Sequence, residues 1–207
     1  LAAYFAGLSI GQLLYGPVAD RFGRRLPLLV GVGLFTLASL ACAYAPNLQW
    51  LIGARFVQAL GGCAGMVISR AVVSDKCDAV GSAKVFSQLM LVMGLAPILA
   101  PLLGGLLVNT TGWQSIFLVL TGFSALAGLA VALGLPESLP AYVPRQPLSG
   151  ALRQYGRLFG DRVFLGHALT GGIAVAGMFS YIAGSPFVFI KLYGVPAEHF
   201  GWLFGTN

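Results

Sequence analysis

The sequence predicts an all-α polytopic membrane protein, and three observations carry that expectation. Of 207 residues, 57% are hydrophobic and only 9% charged, with a mean hydropathy of +0.86. A soluble domain carries about 25% charged residues, so this chain could not cover a water-facing surface. The apolar residues also come in near-continuous runs, whereas a transmembrane barrel would alternate over about ten residues. Finally, the few charges gather at the ends of those runs.

A spanning helix needs about 20 mainly apolar residues. Leu1 to Tyr15 is slightly short, as a truncated span would be. The next runs are Leu26 to Ala45, closed by Pro46-Asn47, and Trp50 to Ser74. Val85 to Val108 follows, closed by Asn109-Thr110-Thr111-Gly112, and then Ser115 to Leu135, closed by Pro136-Glu137. A polar, proline-bearing segment, Ser138 to Asp161, reads as a linker. Within it Arg153 and Arg157 alternate with Leu152, Tyr155, Leu158 and Phe159, the pattern of a short amphipathic helix on the inner leaflet. The sixth run is Val163 to Ile190, and a seventh begins near Phe200. Because apolar runs meet both ends, we expect an internal segment of a longer protein.

The basic residues set the orientation. The loops at Arg21 to Arg25, Asp75 to Lys84 and Ser138 to Arg162, with the adjoining Arg70, hold 10 of the 12 lysines and arginines. That asymmetry assigns these loops to the cytoplasm. It also accounts for the net charge of +6 without a nucleic-acid partner, since no concentrated basic patch exists. Cys42, Cys63 and Cys77 lack metal-ligand or redox spacing.

The loop Gly16 to Arg25 reads GPVADRFGRR. Gly16 offers close packing of a helix end, Pro17 weakens helix continuation, and Asp20 can pair with Arg24 one turn on. The stretch resembles the signature loop between the second and third spans of the major facilitator superfamily, G-x-x-x-D-R-x-G-R-R. Gly16, Asp20, Arg21, Gly23, Arg24 and Arg25 all match. The resemblance implies a partial major facilitator fold: a six-helix half lacking its first span, residues 1–137; a central cytoplasmic linker, 138–161; and the start of the second half, 162–207. It also implies a conformational switch in which Asp75, at the end of the third run, pairs with Arg24. That pair would latch the outward-facing state and break on switching.

Arg55 lies about five residues inside its run, where an arginine costs about 2.5–3.5 kcal/mol to insert. It must therefore face a polar cavity or a carboxylate. Arg55, Gln58, Gly62, Gly65 and Ser69 recur at helical spacing and form one polar or small face. Arg55 to Gly62 resembles the family pattern R-x-x-Q-G-x-G, with Ala59 replacing a glycine. The resemblance implies proton linkage, with Arg55 and Gln58 biasing the pKa of a nearby carboxylate. That carboxylate is not evident, because all six acids lie at run ends.

Gly94 to Gly105 reads GLAPILAPLLGG. Pro97 and Pro101 share a face, and Gly104 and Gly105 offer close packing one turn on. The stretch resembles the antiporter motif G-P-x-x-G-G, with Ala100 for its first glycine, and so implies an exporter. Tyr181, Ser185 and Pro186 resemble the seventh span of the bicyclomycin-resistance (Bcr/CflA) branch of drug:proton antiporters. Tyr4, Gln12, Met66, Met90, Met93, Phe179 and Tyr181 are cavity candidates, since aromatic and thioether groups suit varied lipophilic substrates.

No catalytic, metal-binding or nucleotide-binding constellation is present in the sequence, so neither an enzyme nor a cofactor is expected. The expected function is a monomeric, proton-coupled exporter of drug-like molecules in the bacterial inner membrane, working by alternating access between two halves. An uptake symporter for a sugar or metabolite is the alternative. From another class, a receptor-like sensor would carry an attached soluble domain.

Overall fold

A computed structural model describes residues 2–139, 148–196 and 203–204. Among them it contains helices and no strand: α1 (Ala2–Phe22), α2 (Arg25–Ala43), α3 (Leu48–Lys76), α4 (Ala79–Thr111), α5 (Gln114–Gly134), α6 (Leu148–Gly160) and α7 (Arg162–Pro186). Helix α7 runs on into a π-helical turn, Phe187–Leu192. Five segments are long and apolar enough to cross a membrane: Arg25–Ala43, Leu48–Lys76, Ala79–Pro97, Gln114–Gly134 and Arg162–Leu192. Parts of the expected linker (Pro140, Pro144, Arg145, Pro147) lie outside the described residues. So do Leu1, Glu198, His199 and most of the expected seventh run.

Local chemistry sets the helix starts. Asn47 accepts from Trp50 N at 2.8 Å, Asp78 from Gly81 N at 2.9 Å, and Asp161 from Val163 N and Phe164 N at 2.9 and 3.2 Å. Each fills amide donors that the first helical turn leaves unpaired.

One departure from expectation concerns Pro17. Helix α1 continues through it to Phe22, so Asp20 and Arg21 are helical rather than in a loop. Gly16, without a Cβ, eases the restriction that a proline places on the residue before it, while the missing N–H and the crowding of the carbonyl one turn earlier are tolerated within the helix. Nor does Gly16 mediate a close approach: a Cβ there would meet nothing within 4 Å among the described residues.

The chain divides into two compact units, 1–90 with 107–148, and 91–106 with 149–207. In the first, α3 packs on α1 and on α2, and α2 also packs on α5. Most of the buried apolar residues are small, Ala19, Ala38, Cys42, Ala59, Cys63 and Ala64, with Leu28 and Ile68 the large ones among them. Gly61 lies so close to α2 that a Cβ there would stand 2.5 Å from Phe35 N and 2.6 Å from Gly31 O. Large apolar side chains point outward instead, with Phe123 73% and Leu133 82% exposed. Mostly small residues at the helix contacts and many large ones outside is the arrangement of helices solvated by lipid, where van der Waals approach replaces the hydrophobic effect. The second unit contains α6 and α7. Asp161, in an extended conformation, is the single residue between them.

Candidate functional site

Two polar constellations lie on the first unit. Asp75 and Arg55 are 20 residues apart on α3, about 30 Å along its axis, close to the thickness of the hydrocarbon core.

The first constellation closes the basic-loop end. Gly23 turns the chain between α1 and α2 with φ +91°, a conformation costly for any other residue. Arg24 then folds back into the bundle and is largely buried. Its Nε donates to Asp75 Oδ2 at 2.9 Å and its Nη1 to Asp20 Oδ1 at 2.6 Å. The contact expected between the signature loop and the end of α3 is therefore present. Both partners of Arg24 lie in the same compact unit, so the pair organises that unit's own end. Burial alone would lower the Arg24 pKa, but its hydrogen bonds and attraction to Asp75 and Asp20 outweigh this and raise it. The side chain of Asp20 remains half exposed, and Arg21 is exposed.

Glu137 completes this end, and sequence reasoning did not assign it a role. One of its oxygens accepts from Arg24 N at 2.7 Å and the other from Arg25 N at 3.2 Å. The first oxygen also accepts from Ser138 N and Leu139 N, both at 3.0 Å. A carboxylate from the end of α5 thus caps α2, whose own N-cap residue supplies no side-chain bond. Partial burial pushes the Glu137 carboxyl up, but the four amides together hold it below the usual carboxylate range. A Cβ on Gly23 would strike this carboxylate, a second reason for glycine there. Arg25 Nη2 donates to Ala132 O at 2.6 Å, tying α2 again to α5. The available signal was position: Glu137 is an acid in a loop assigned to the same membrane face as Arg24.

The second constellation surrounds Arg55, about 10 Å along α3 from its start. Its guanidinium lies 4.3 Å from the centre of the Tyr4 ring and 5.7 Å from that of Phe117, both within cation–π range. Nη1 donates to Gln58 Oε1 at 2.7 Å. Gln58 is fully buried and passes its amide to Ser39 Oγ at 2.6 Å, and Ser39 donates to Phe35 O at 2.7 Å. Among the described residues Arg55 forms no ion pair. It borders a cavity of about 370 Å³ shared with Tyr4, Leu51, Trp113 and Phe117. The expected polar stripe on α3 divides. Arg55 reaches the cavity, Gln58 turns into the α2–α3 contact, and a Cβ on Gly65 would meet nothing within 4 Å among the described residues.

The other expected residues are described within their own units. Helix α4 runs unbroken through Pro97 and Pro101. A Cβ on Gly104 or Gly105 would meet nothing within 4 Å among the described residues, so the close packing expected of them is absent here. Gln12, Met66, Met90 and Met93 are exposed. Phe179 and Tyr181 belong to the second unit, where Tyr181 stacks on Phe204 with ring centres 5.6 Å apart.

This is the architecture of a polytopic helical membrane protein, with charged groups fixed at one end and a cation held inside. The family model described as Major Facilitator Superfamily matches residues 1–206, and the chain belongs to that family. Over its whole length the chain is 44% identical to an uncharacterized MFS-type transporter, YdgK, of Bacillus subtilis (strain 168), covering 52% of it. It is 32% identical over its whole length to a bicyclomycin resistance protein homolog of Haemophilus influenzae, again covering 52%. It thus spans about half the length of these curated relatives. Among solved structures it resembles a D-xylose-proton symporter at a TM-score of 0.69 and 19% identity. That match covers 99% of this chain and 53% of the symporter, and concerns the fold.

Proposed function

We propose that this chain forms about half of a proton-coupled secondary transporter that exports drugs or other small lipophilic molecules across the bacterial inner membrane. The observation that carries the reading is Arg55, a permanent cation inside a membrane-spanning helix, held by two aromatic rings and a buried glutamine. Such a cation attracts negative charge, and here none of the described carboxylates supplies it. A proton-binding acid elsewhere in the full-length protein would have its pKa lowered by Arg55 and would release its proton more readily when substrate arrives. The similarity to a bicyclomycin resistance protein homolog supports export of drug-like cargo and the Bcr/CflA branch.

In this reading the protein works by alternating access around a site near the midplane. In place of a latch that breaks on switching, which the family resemblance implied for Arg24–Asp75, the Arg24, Asp20, Asp75 and Glu137 cluster lies within one unit and keeps the cytoplasmic ends of α1, α2, α3 and α5 together while that unit rocks. Half-exposed Asp20 is the member free to exchange partners between states. The protein acts as a transporter and not as an enzyme, and needs no cofactor.

The test uses the full-length protein in inverted vesicles with an imposed pH gradient. Addition of cationic and neutral lipophilic drugs should collapse the gradient, and Arg55→Ala should abolish the response. Silence toward every drug, with proton-linked movement of a sugar or metabolite instead, would overturn the export reading in favour of uptake.

A further inference from the structure

Among the described helices, α6 alone has one apolar and one basic face. At 100° per residue, Leu148, Ala151, Leu152, Tyr155, Leu158 and Phe159 fall within an arc of about 120°. Arg153 and Arg157 fall on the opposite side, and both are exposed. No acid occurs between residues 148 and 160, and Arg162 adds a third exposed positive charge just beyond. Asp161, exposed and capping α7, takes one unit from this charge and leaves residues 148–162 with a net charge of +2.

Thirteen residues make a helix about 20 Å long, too short to cross a hydrocarbon core of about 30 Å. Yet α6 cannot lie far from the bilayer. Only Asp161 separates it from Arg162, where the spanning segment that includes α7 begins. Its apolar face ends in Phe159, which is 66% exposed. A large aromatic left open three residues from a membrane-entry point needs a cover. The nearest apolar medium is the acyl boundary of the leaflet that α7 enters, and the charges beside it select the lipid. Three cations against one acid match a surface bearing acidic headgroups, each basic residue near such a surface adding roughly fivefold to partitioning.

We propose that α6 is a docking element for acidic phospholipid on the cytoplasmic leaflet. Tyr155, Leu158 and Phe159 enter the acyl boundary, and Arg153, Arg157 and Arg162 lie among the headgroups. The charge of the leaflet thereby fixes where α7 begins.

The experiment uses full-length protein in nanodiscs of phosphatidylcholine, with or without phosphatidylglycerol. An environment-sensitive fluorophore is placed at Phe159→Cys or at Gln154→Cys, and the signal of the identically treated parent, with its three native cysteines, is subtracted. With acidic lipid, the probe at 159 should be quenched by doxyl-labelled lipid and protected from aqueous iodide, and the probe at 154 should show the reverse. Arg153→Gln with Arg157→Gln should return the 159 probe to iodide, with partitioning down about 25-fold. Three results would each overturn the proposal. The 159 probe could stay open to iodide in every disc. It could be shielded from both quenchers even in detergent, meaning that protein covers this face. Or it could enter lipid equally with and without acidic headgroups and regardless of the arginines, leaving an apolar anchor without lipid selectivity.

Discussion

Replacing Gly61 by alanine tests whether the α2–α3 crossing positions the Arg55 chain. The added Cβ would stand 2.5 Å from Phe35 N, 2.6 Å from Gly31 O and 2.9 Å from Phe35 Cα. All three are backbone atoms, so no side chain can rotate away. Relief requires the helices to part by about 0.9 Å, from 2.5 Å to the 3.4 Å where ordinary contact begins. Overpacking of this kind costs about 1–3 kcal/mol. One turn earlier on the same face, Gln58 reaches Ser39 across the same crossing at 2.6 Å, so parting the helices also stretches that hydrogen bond. Gly65→Ala is the matched control. It brings the same gain in helix propensity, about 1 kcal/mol, into open space. The difference between the two variants therefore isolates the crossing. Thermal unfolding of the full-length protein in detergent, about twice the length of this chain, should place Gly61→Ala below Gly65→Ala by roughly 2–3 °C for 2 kcal/mol. If Gly61→Ala melts at or above Gly65→Ala, the close approach of α2 and α3 is wrong, and so is the placement of Gln58 derived from it.

Three further outcomes follow from the site geometry. Glu137→Ala should cost about 0.5–2 kcal/mol as a lost helix cap. The native carboxyl is held low, so its contribution is complete at neutral pH and disappears as pH falls through the acid side of the carboxylate range; thermal melts of the alanine variant should be flatter there than the parent's. Arg24→Ala and Asp75→Ala should be non-additive in unfolding free energy, because Arg24→Ala leaves Asp75 partly buried without its ion pair while Asp75→Ala leaves Arg24 with Asp20 alone, and additive costs would remove the pair from the account. Gln58→Leu should cost about 1–3 kcal/mol in the same melts, since it removes an acceptor from Arg55 and a donor from Ser39, and a cost near zero would mean that water replaces the glutamine.

The spanning helices were legible because hydropathy is a local property: the runs from Leu26 to Leu135 each correspond to a helix with ends shifted by a few residues. The Arg24–Asp20 contact was also local, one helical turn within a single stretch. Arg24–Asp75 needed a family resemblance, since 51 residues separate the partners. Glu137 escaped because its partners are backbone amides 112 and 113 residues earlier, and amides leave no trace in a sequence. Helix α1 was expected to weaken at Pro17, but one missing amide donor bends or weakens a helix without having to end it, and α1 continues to Phe22. The stripe on α3 was correct in spacing, but spacing cannot say which glycine meets a neighbour. Gly61, off the expected stripe, makes the tight backbone crossing, while Gly65, on it, faces open space.

Proton release on drug binding tests the central claim most directly. Full-length protein in weakly buffered detergent near neutral pH, with a pH indicator, should release protons when a transported drug is added. Arg55→Ala should bind drug with release diminished or lost. Drug binding with no proton release in the parent, or with proton uptake, would contradict proton-coupled export and the role given to Arg55.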